Sequence, residues 1–445
     1  MPLPTHSDRN GTASSGFVRP LWHHNVLPTT HGQPIELVSA HGVRLRDSAG
    51  HEYIDGFASS GATVLGHGRL DLADAAREQM RTAAFFPAIG GFSNTPAREL
   101  AERLLSLAGH PGGAVWFATS GSEAVEAAIK ISLNYHLNRG APDRRIILCC
   151  RNAFHGNTMG AAAATGSADQ DPFVREAAVN FARLPATPHE SRSASDEFLA
   201  VLTEAIERLN PARIAGFIAE PVPAGGVRIP HAEHWKRVRR VLSEHGILMI
   251  ADEVFCGLGR AGAMLAQHRY GFNADVITVS KALTSGYFPL SACIASAAVT
   301  DAFEDMGELA LRHRGTYSAH ATGCAVGLRT LQIIETDGLV ENGIRMGALL
   351  SEGLKELADI YPDMLGPPIG VGLMWIAPLV ETAPVRGSAA ARARMLQARC
   401  RENGLLTAKP GPVVGLWPPL IVSATDIDEI LSKLSRSVRE CRDAL

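Results

Sequence analysis

An α/β fold with a large, mostly parallel sheet and a smaller α+β domain is the architecture this sequence predicts. Two observations predict its form. Between Ala114 and Ser296 short apolar runs alternate with helical patterns, and the runs are apolar at successive positions. Strands apolar on both faces belong in a parallel sheet covered by helices on both sides. A third concerns size: 445 residues, 46% hydrophobic and 20% charged, can bury a sizeable core without disulfides or metals.

In chain order, Met1 to Gly16 is rich in Ser, Thr, Asn and Gly and reads as a mobile arm. Short strand-like pieces follow at Ile35–Ser39, Val43–Arg46 and Tyr53–Ile54, alternating with turn residues. Leu70 to Leu107 has helical apolar spacing, broken by Gly90-Gly91. The α/β rhythm then starts with a strand at Ala114–Thr119 and a helix from Ser122 to about Leu137. Strands are predicted at Arg145–Cys150 and Ile214–Val222, then a helix over about Ala232–His245. Strands follow at Ile247–Val254, Asp275–Ser280 and Ser291–Ser296. Leu328–Ile334 lies in a helix leading away from this unit. Helix Ile344–Leu357, strand Gly372–Ile376, helix Ala390–Asn403 and helix Ile427–Leu445 make up the smaller domain. The division expected is an N-terminal segment over 1–54 packed with the small domain, a large domain over 55–325 and a small domain over 326–445.

Charge and composition exclude several classes. The net charge of −3, from 42 basic and 45 acidic side chains, lacks the basic excess of a nucleic-acid or anionic-membrane binder. No apolar run approaches the length of a membrane-spanning helix. The N-terminus has no apolar signal core, and the seven cysteines show no C-x-x-C pair. Free thiols in the cytoplasm are the expectation.

Three stretches carry chemistry. In Phe117-Ala-Thr-Ser120-Gly121-Ser122-Glu123, a strand passes through a small-residue turn into a helix. Ser120 and Glu123 have capping-box spacing, and the free N–H groups of such a start form a phosphate seat. A merely well-capped helix has the same pattern. In Ile250-Ala-Asp252-Glu253-Val254, two acids close a buried strand at the sheet edge where ligands sit. Asp252 there suits a protonated ring nitrogen; a carboxylate just past a strand end is the plainer alternative. In Thr278-Val279-Ser280-Lys281, a lysine follows directly on an apolar strand. A desolvated amine has the lowered pKa that imine formation needs, whereas a surface lysine would snorkel to water. Lysines are sparse in this chain, and small and apolar residues flank this one. Phosphate seat, aspartate and lysine are together what a pyridoxal 5'-phosphate enzyme requires.

On these stretches the sequence resembles the class III aminotransferases of the fold-type I pyridoxal-phosphate superfamily. The matching segments are FATSGSEAVEAAIK (117–130), AFHGNT (153–158), IAEPVPAGGV (218–227), ILMIADEVFCGLGRAG (247–262), DVITVSKALTSGYFPLSA (275–292) and RGTYSAH (314–320). DGFASS (55–60) and PPLIVSATDIDEI (418–430) match more loosely. The resemblance implies that Lys281 is the Schiff-base lysine and proton shuttle. It implies that Asp252 pairs with the ring nitrogen and that Ser120, Gly121 and Ser122 hold the phosphate. Val254 and Phe154 would cover the two ring faces, with Phe154 standing where the family usually has Tyr. His155 and Glu220 would stand at the cofactor. Thr316 resembles a threonine that reaches the phosphate across a dimer interface, so a homodimer with shared active sites is implied.

The resemblance also bears on substrate. Arginines that bind carboxylates in the 4-aminobutyrate and acetylornithine branch are replaced here by Asn157 and by Gly415-Leu416-Trp417. The wording DEVFCGLGR is closer to the amine–pyruvate (ω-transaminase) and diaminopelargonate branches. Where those keep a mobile arginine this chain has Ala408-Lys409, and lysine lacks the bidentate fork. Ser59, Ser60 and Gly61 replace bulky pocket residues, which suggests room for a bulky amine. Gly91 and Phe92 would edge the pocket from the partner chain, and Trp417 would line it. The expected reaction moves an amino group from an amine or ω-amino donor to a keto acid, pyruvate in the first place. A lyase, decarboxylase or epimerase on the same site is the alternative.

Other motifs are read as decoys. Gly257-Leu-Gly259-Arg-Ala-Gly262 has dinucleotide-fingerprint spacing but too short a sequel for the required helix. His231, His234, His23 and His24 lack a third metal ligand and are read as solvated, and no metal is expected. Cys256 has no base beside it in sequence.

Overall fold

The computed structural model describes residues 35–88, 90–167, 171–178, 180–304, 311, 313–381, 388–408 and 411–444. The arm over Met1–Gly16, His23, His24 and Lys409 lie outside the described residues.

The chain opens with an antiparallel meander, β1 (Leu37–His41), β2 (Arg44–Asp47) and β3 (Glu52–Asp55). Helices α1 (Leu70–Ala83) and α2 (Thr95–Ala108) follow. The Asn94 side chain accepts from Ala97 N–H at 2.9 Å to start α2, and Gly109 at φ 67° ends it. Then come β4 (Ala114–Ala118), α3 (Gly121–Asn138), β5 (Ile146–Cys150), β6 (Phe181–Leu184), α4 (Arg192–Leu209), β7 (Ile214–Ala219), α5 (His234–Glu244), β8 (Leu248–Asp252), β9 (Val276–Val279) and β10 (Ser291–Ala295). The C-terminal part holds α6 (Ala321–Thr336), α7 (Leu339–Ile360), β11 (Ile369–Val371), β12 (Met374–Pro378), α8 (Ala389–Glu402), β13 (Leu405–Leu406), β14 (Val413–Leu416) and α9 (Ala424–Asp443).

The central sheet has the strand order β4-β10-β9-β8-β7-β5-β6. Neighbours from β9 to β6 pair in parallel, while β10 is antiparallel to both β9 and β4. Every residue of β5, β7, β8, β9 and β10 is buried. Alternation sends Ile147, Ile218 and Ile250 to the face packed by α3, and Leu148, Phe217 and Met249 to the other face with Trp235. Each such side chain contributes about 1.5–3 kcal/mol of burial. Runs apolar at every position therefore satisfy two cores at once, as the sequence pattern predicts.

Two smaller sheets complete the fold. β11, β12 and β14 form one, and β13 joins the N-terminal meander as a parallel neighbour of β3. The stretch 151–213, where sequence reasoning names no element, holds α4, β6 and short helical turns at Met159–Ala164 and Pro172–Ala177.

Candidate functional site

The parallel strands point their carboxyl ends at one edge, and the singled-out residues gather there. Asp252 is the last residue of β8, and its register partner on β9 is Thr278. The Thr278 hydroxyl donates to Asp252 Oδ1 at 3.0 Å, and Val254 N–H donates to the same oxygen at 3.1 Å. His155 Nδ1 lies 2.7 Å from Asp252 Oδ2. Both partners are buried, and His155 Nε2 is buried with no hydrogen-bond partner among the described residues. Asp252 is thus a carboxylate oriented from three sides.

Glu253 points the other way. Its oxygens accept from Ala266 and Gln267 N–H at 2.5 and 2.8 Å, and burial pushes its pKa up to about 7. It caps a short turn of helix and takes no part in the cavity.

Lys281 follows β9 in a left-handed conformation at φ 41°. Its Nζ sits 4.7 Å from the centroid of the Phe255 ring. The residue lines the cavity and is half-buried. Burial lowers the amine pKa, and the negative charge of Asp252 and Glu220 offsets part of that. Glu220 is buried after β7 and accepts from Phe154 N–H and Ala224 N–H, each at 2.9 Å. Burial pushes its pKa up to about 7, with His155 acting to lower it and Asp252 to raise it.

Beside these groups α3 begins. The capping box forms: Ser120 Oγ accepts from Glu123 N–H at 3.3 Å, and Glu123 Oε2 accepts from Ser120 N–H at 3.1 Å. Gly121 and Ser122 supply the next N–H groups, which have no acceptor within the helix. Ser122 Oγ accepts from Asn157 N–H at 3.1 Å. The backbone here is bare by necessity. A Cβ on Gly121 would lie 2.9 Å from Val254 Cγ1, and one on Gly156 would lie 2.3 Å from Ser122 Oγ.

Gly121, Ser122, Phe154, His155, Glu220, Asp252, Val254 and Lys281 therefore line one cavity, joined by Gly156, Ala224, Phe255 and Ser280. Phe154 offers an exposed ring there. Sequence reasoning missed Phe255 and Thr278. The register of β8 against β9 was the signal for Thr278; nothing local marks Phe255. Ser120 spends its side chain on the capping box and does not line the cavity. Thr316 is exposed and lies by a second cavity with Thr119 and Glu123. Gly91 and Phe92 are exposed, with Phe92 packed on Phe86 at 4.8 Å. Ser60 is exposed at φ 68°, inside a left-handed run from Ala58 to Gly61. Asp55 pins that run, accepting from Phe57 N–H and Ser59 N–H at 3.2 Å each and meeting His67 Nε2 at 3.1 Å. Gly61 leaves no vacant space, because its Cβ would lie 2.5 Å from Phe255 Cε2. Trp417 stacks edge-on against the same ring, with centroids 5.2 Å apart.

The decoys resolve as well. Gly257–Gly262 is a turn followed only by the short helix Ala266–Arg269. Cys256 is buried and its thiol pKa is pushed well up by burial. His234 corrects the expectation of a solvated side chain. It is fully buried, bonded to Ser195 Oγ at 2.9 Å, and burial lowers its pKa to about 3. No group of three or more potential metal ligands occurs among the described residues.

The residues present fit pyridoxal phosphate: a bare helix start, a half-buried lysine with a lowered amine pKa, an oriented carboxylate and an exposed aromatic face share one cavity. Fold and site define a pyridoxal-phosphate-dependent enzyme of fold type I. The chain belongs to the class III aminotransferases, whose family model matches residues 27–438. A diaminobutyrate–2-oxoglutarate transaminase from Halomonas elongata is 35% identical, covering 91% of this chain and 90% of its own length. A putrescine–pyruvate aminotransferase from Pseudomonas aeruginosa is 29% identical, over 92% and 90%. Among solved structures, the omega transaminase from Pseudomonas jessenii in complex with PMP superposes with a TM-score of 0.90 at 30% identity, covering 95% of this chain and 97% of that one.

Gly156→Ala tests the seat. Its φ of 130° disfavours any L side chain, and the added carbon displaces Ser122. Losing one hydrogen bond to a charged group weakens affinity roughly tenfold or more. Cofactor titration of the variant is expected to show that loss, and unchanged affinity would remove Ser122 from the seat.

Proposed function

We propose that this aminotransferase moves the amino group of an amine or ω-amino donor to pyruvate, with Lys281 and Asp252 as its catalytic residues. One observation carries the reading: the Lys281 amine and the oriented Asp252 carboxylate face the same cavity as the bare start of α3. Bound there, pyridoxal phosphate supplies an aldehyde for the donor amine and a protonated ring that draws electrons from the donor carbon. Lys281 would hold the cofactor through Nζ. Released by the donor, Nζ takes the proton from the donor carbon and later returns one. Its lowered pKa leaves a larger neutral fraction to act as base. Asp252, held by Thr278, Val254 N–H and His155, keeps its negative charge on the ring nitrogen. Gly121 and Ser122 present N–H groups and a hydroxyl to the phosphate, with Ser120 shaping the turn. Phe154 and Val254 would cover the ring faces, and Glu220 would stand on the donor side.

Pyruvate as acceptor rests on the absence of the two branch arginines, at Asn157 and in Gly415-Leu416-Trp417. The acceptors named for the relatives above divide between pyruvate and 2-oxoglutarate, and both named donors are compounds with two amino groups. The test adds candidate amines to the enzyme and then supplies each keto acid in turn. Conversion of the cofactor to its amine form, reversed by pyruvate faster than by 2-oxoglutarate, is expected. Reversal by 2-oxoglutarate alone would overturn the acceptor, and phosphate release without an acceptor would identify a lyase.

The active unit in this reading is a homodimer. Phe86, Phe92 and Tyr317 are exposed aromatics, and Phe85 joins them through Tyr317 at 5.5 Å, beside the loop carrying Thr316. Such a patch suits a subunit interface. Gly91, Phe92 and Thr316 would then serve the neighbouring site, while Ser60, Gly61 and Trp417 border their own. Residues 55–325 would form the cofactor-binding domain and 326–445, with the N-terminal segment to 54, the domain that packs on it. All seven cysteines are buried, in keeping with a cytoplasmic enzyme. Among the described residues no helix is long and apolar enough to cross a membrane.

Subunit exchange tests the dimer. Thr316→Ala removes one hydrogen bond to a charged group, worth roughly ten- to a hundredfold in cofactor affinity. Mixed with Lys281→Ala, it yields heterodimers in which one site carries both defects and the other neither. Activity at limiting cofactor is expected to reappear. No recovery, with exchange verified by mass, would mean that Thr316 serves its own chain.

A further inference from the structure

We propose that Phe255 is a positioning residue for the Lys281 amine: its ring face, fixed between Gly61 and Trp417, receives the charge that Nζ acquires on taking a proton. This rests on the reading of Lys281 as the proton carrier. The geometry is specific. Nζ lies 4.7 Å from the ring centroid, within the range of a cation–π contact. The ring is held from two further sides. Trp417 meets it at an interplanar angle of 88°, and Gly61 lies so close that a Cβ would come within 2.5 Å of Cε2. The backbone of Trp417 is in turn tied down, since its main-chain N–H donates to Gly56 O at 2.9 Å and Arg260 donates to Pro418 O at 2.6 Å. Phe255 itself is buried, so the aromatic face acts where water does not compete.

The chemistry follows from the charge balance. Taking a proton converts the Nζ lone pair into an N–H bond and leaves a cation in a desolvated cavity. Asp252 and Glu220 are the carboxylates facing it, with the thiol of Cys256 and the imidazole of His155 also at hand. Asp252 already accepts from Thr278, Val254 and His155, and Glu220 from two backbone N–H groups. The quadrupole of Phe255 adds an attraction that carries no charge of its own. The ammonium gains support while the neutral amine, needed to take the next proton, is not locked into an ion pair.

The experiment reads the lysine directly. The holoenzyme in its pyridoxamine-phosphate form leaves the lysine amine free. Trace acetylation with acetic anhydride across pH, resolved at Lys281 by mass spectrometry, gives that amine's titration. Phe255→Leu keeps an apolar cover but removes the π face, so the Lys281 titration is expected to move down by about 0.5–1 pH unit. Phe255→Tyr keeps the face and is expected to leave it in place. Gly61→Ala, which displaces the ring without touching residue 255, is expected to reproduce the downward shift. An unmoved or upward titration in both Phe255→Leu and Gly61→Ala would overturn the proposal, since loss of burial alone moves a lysine upward. Borohydride fixation of the wild-type cofactor on a different residue would instead refute the role of Lys281 and leave the titration result standing by itself.

Discussion

Lys281→Ala is expected to abolish turnover while cofactor still binds weakly. The bare start of α3, Phe154 and Asp252 remain in place, so phosphate and ring keep their partners. What disappears is the single amine above Phe255. General acid–base catalysis alone contributes about 10²–10⁴-fold. Losing covalent attachment as well puts the defect at or beyond the upper end of that range. Borohydride followed by mass spectrometry is the decisive measurement. Wild-type chain is expected to gain the mass of the reduced cofactor at the peptide holding Lys281, and the variant none. Cofactor fixed to the variant by borohydride would sink the assignment.

Asp252→Asn is expected to keep the cofactor and slow the first half-reaction by about 10²–10³-fold, the scale of losing one preorganised electrostatic partner. The hydrogen-bond pattern fixes how the amide must sit. Two donors, Val254 N–H and the Thr278 hydroxyl, converge on Oδ1, so the amide oxygen takes that place. The amide NH₂ then replaces Oδ2, a donor where the ring nitrogen needs an acceptor. Neutral asparagine cannot hold that nitrogen protonated. Rapid mixing with an amine donor, followed through the cofactor absorbance, measures the step. A near-normal rate would show that the ring nitrogen finds its charge elsewhere.

Much of the site was legible because strand ends in a parallel sheet share an edge. Unbroken apolar runs ending at Asp252 and just before Lys281 announced both residues before any contact was known. The reversed direction of β10 was not legible, since a buried antiparallel strand inside such a sheet has the same apolar composition. Phe255 stayed hidden for a different reason. The smallness of Gly61 reads as free space, and only three-dimensional packing shows an aromatic ring filling it from a remote position. Glu253 is as acidic as its neighbour in sequence, yet it stands one residue past the end of β8 and turns away to cap Ala266 and Gln267. His234 lacks a third metal ligand in sequence and so reads as solvated, but it occupies its helix's apolar stripe against Phe198. Between residues 151 and 213 the turns at Met159–Ala164 and Pro172–Ala177 are too short to show a period, whereas α4 does carry helical apolar spacing at Phe198, Leu199, Leu202, Ala205 and Ile206 and sequence reasoning missed it.

The pairing of β13 with β3 joins Leu405 to Ile54 and Leu406 to Asp55. The ribosome must add roughly 350 residues between the two partners, which at about 5–20 residues per second takes on the order of 20–70 s. Throughout that interval β3 has an unsatisfied edge, a hazard for intermolecular pairing. Asp55, the residue that pins the left-handed run beside Phe255, sits on that waiting strand. The wall of the proposed active site is therefore among the last parts to be secured during synthesis. A chain released before residue 405 would be left with an unfinished catalytic centre, not simply a shorter C-terminus.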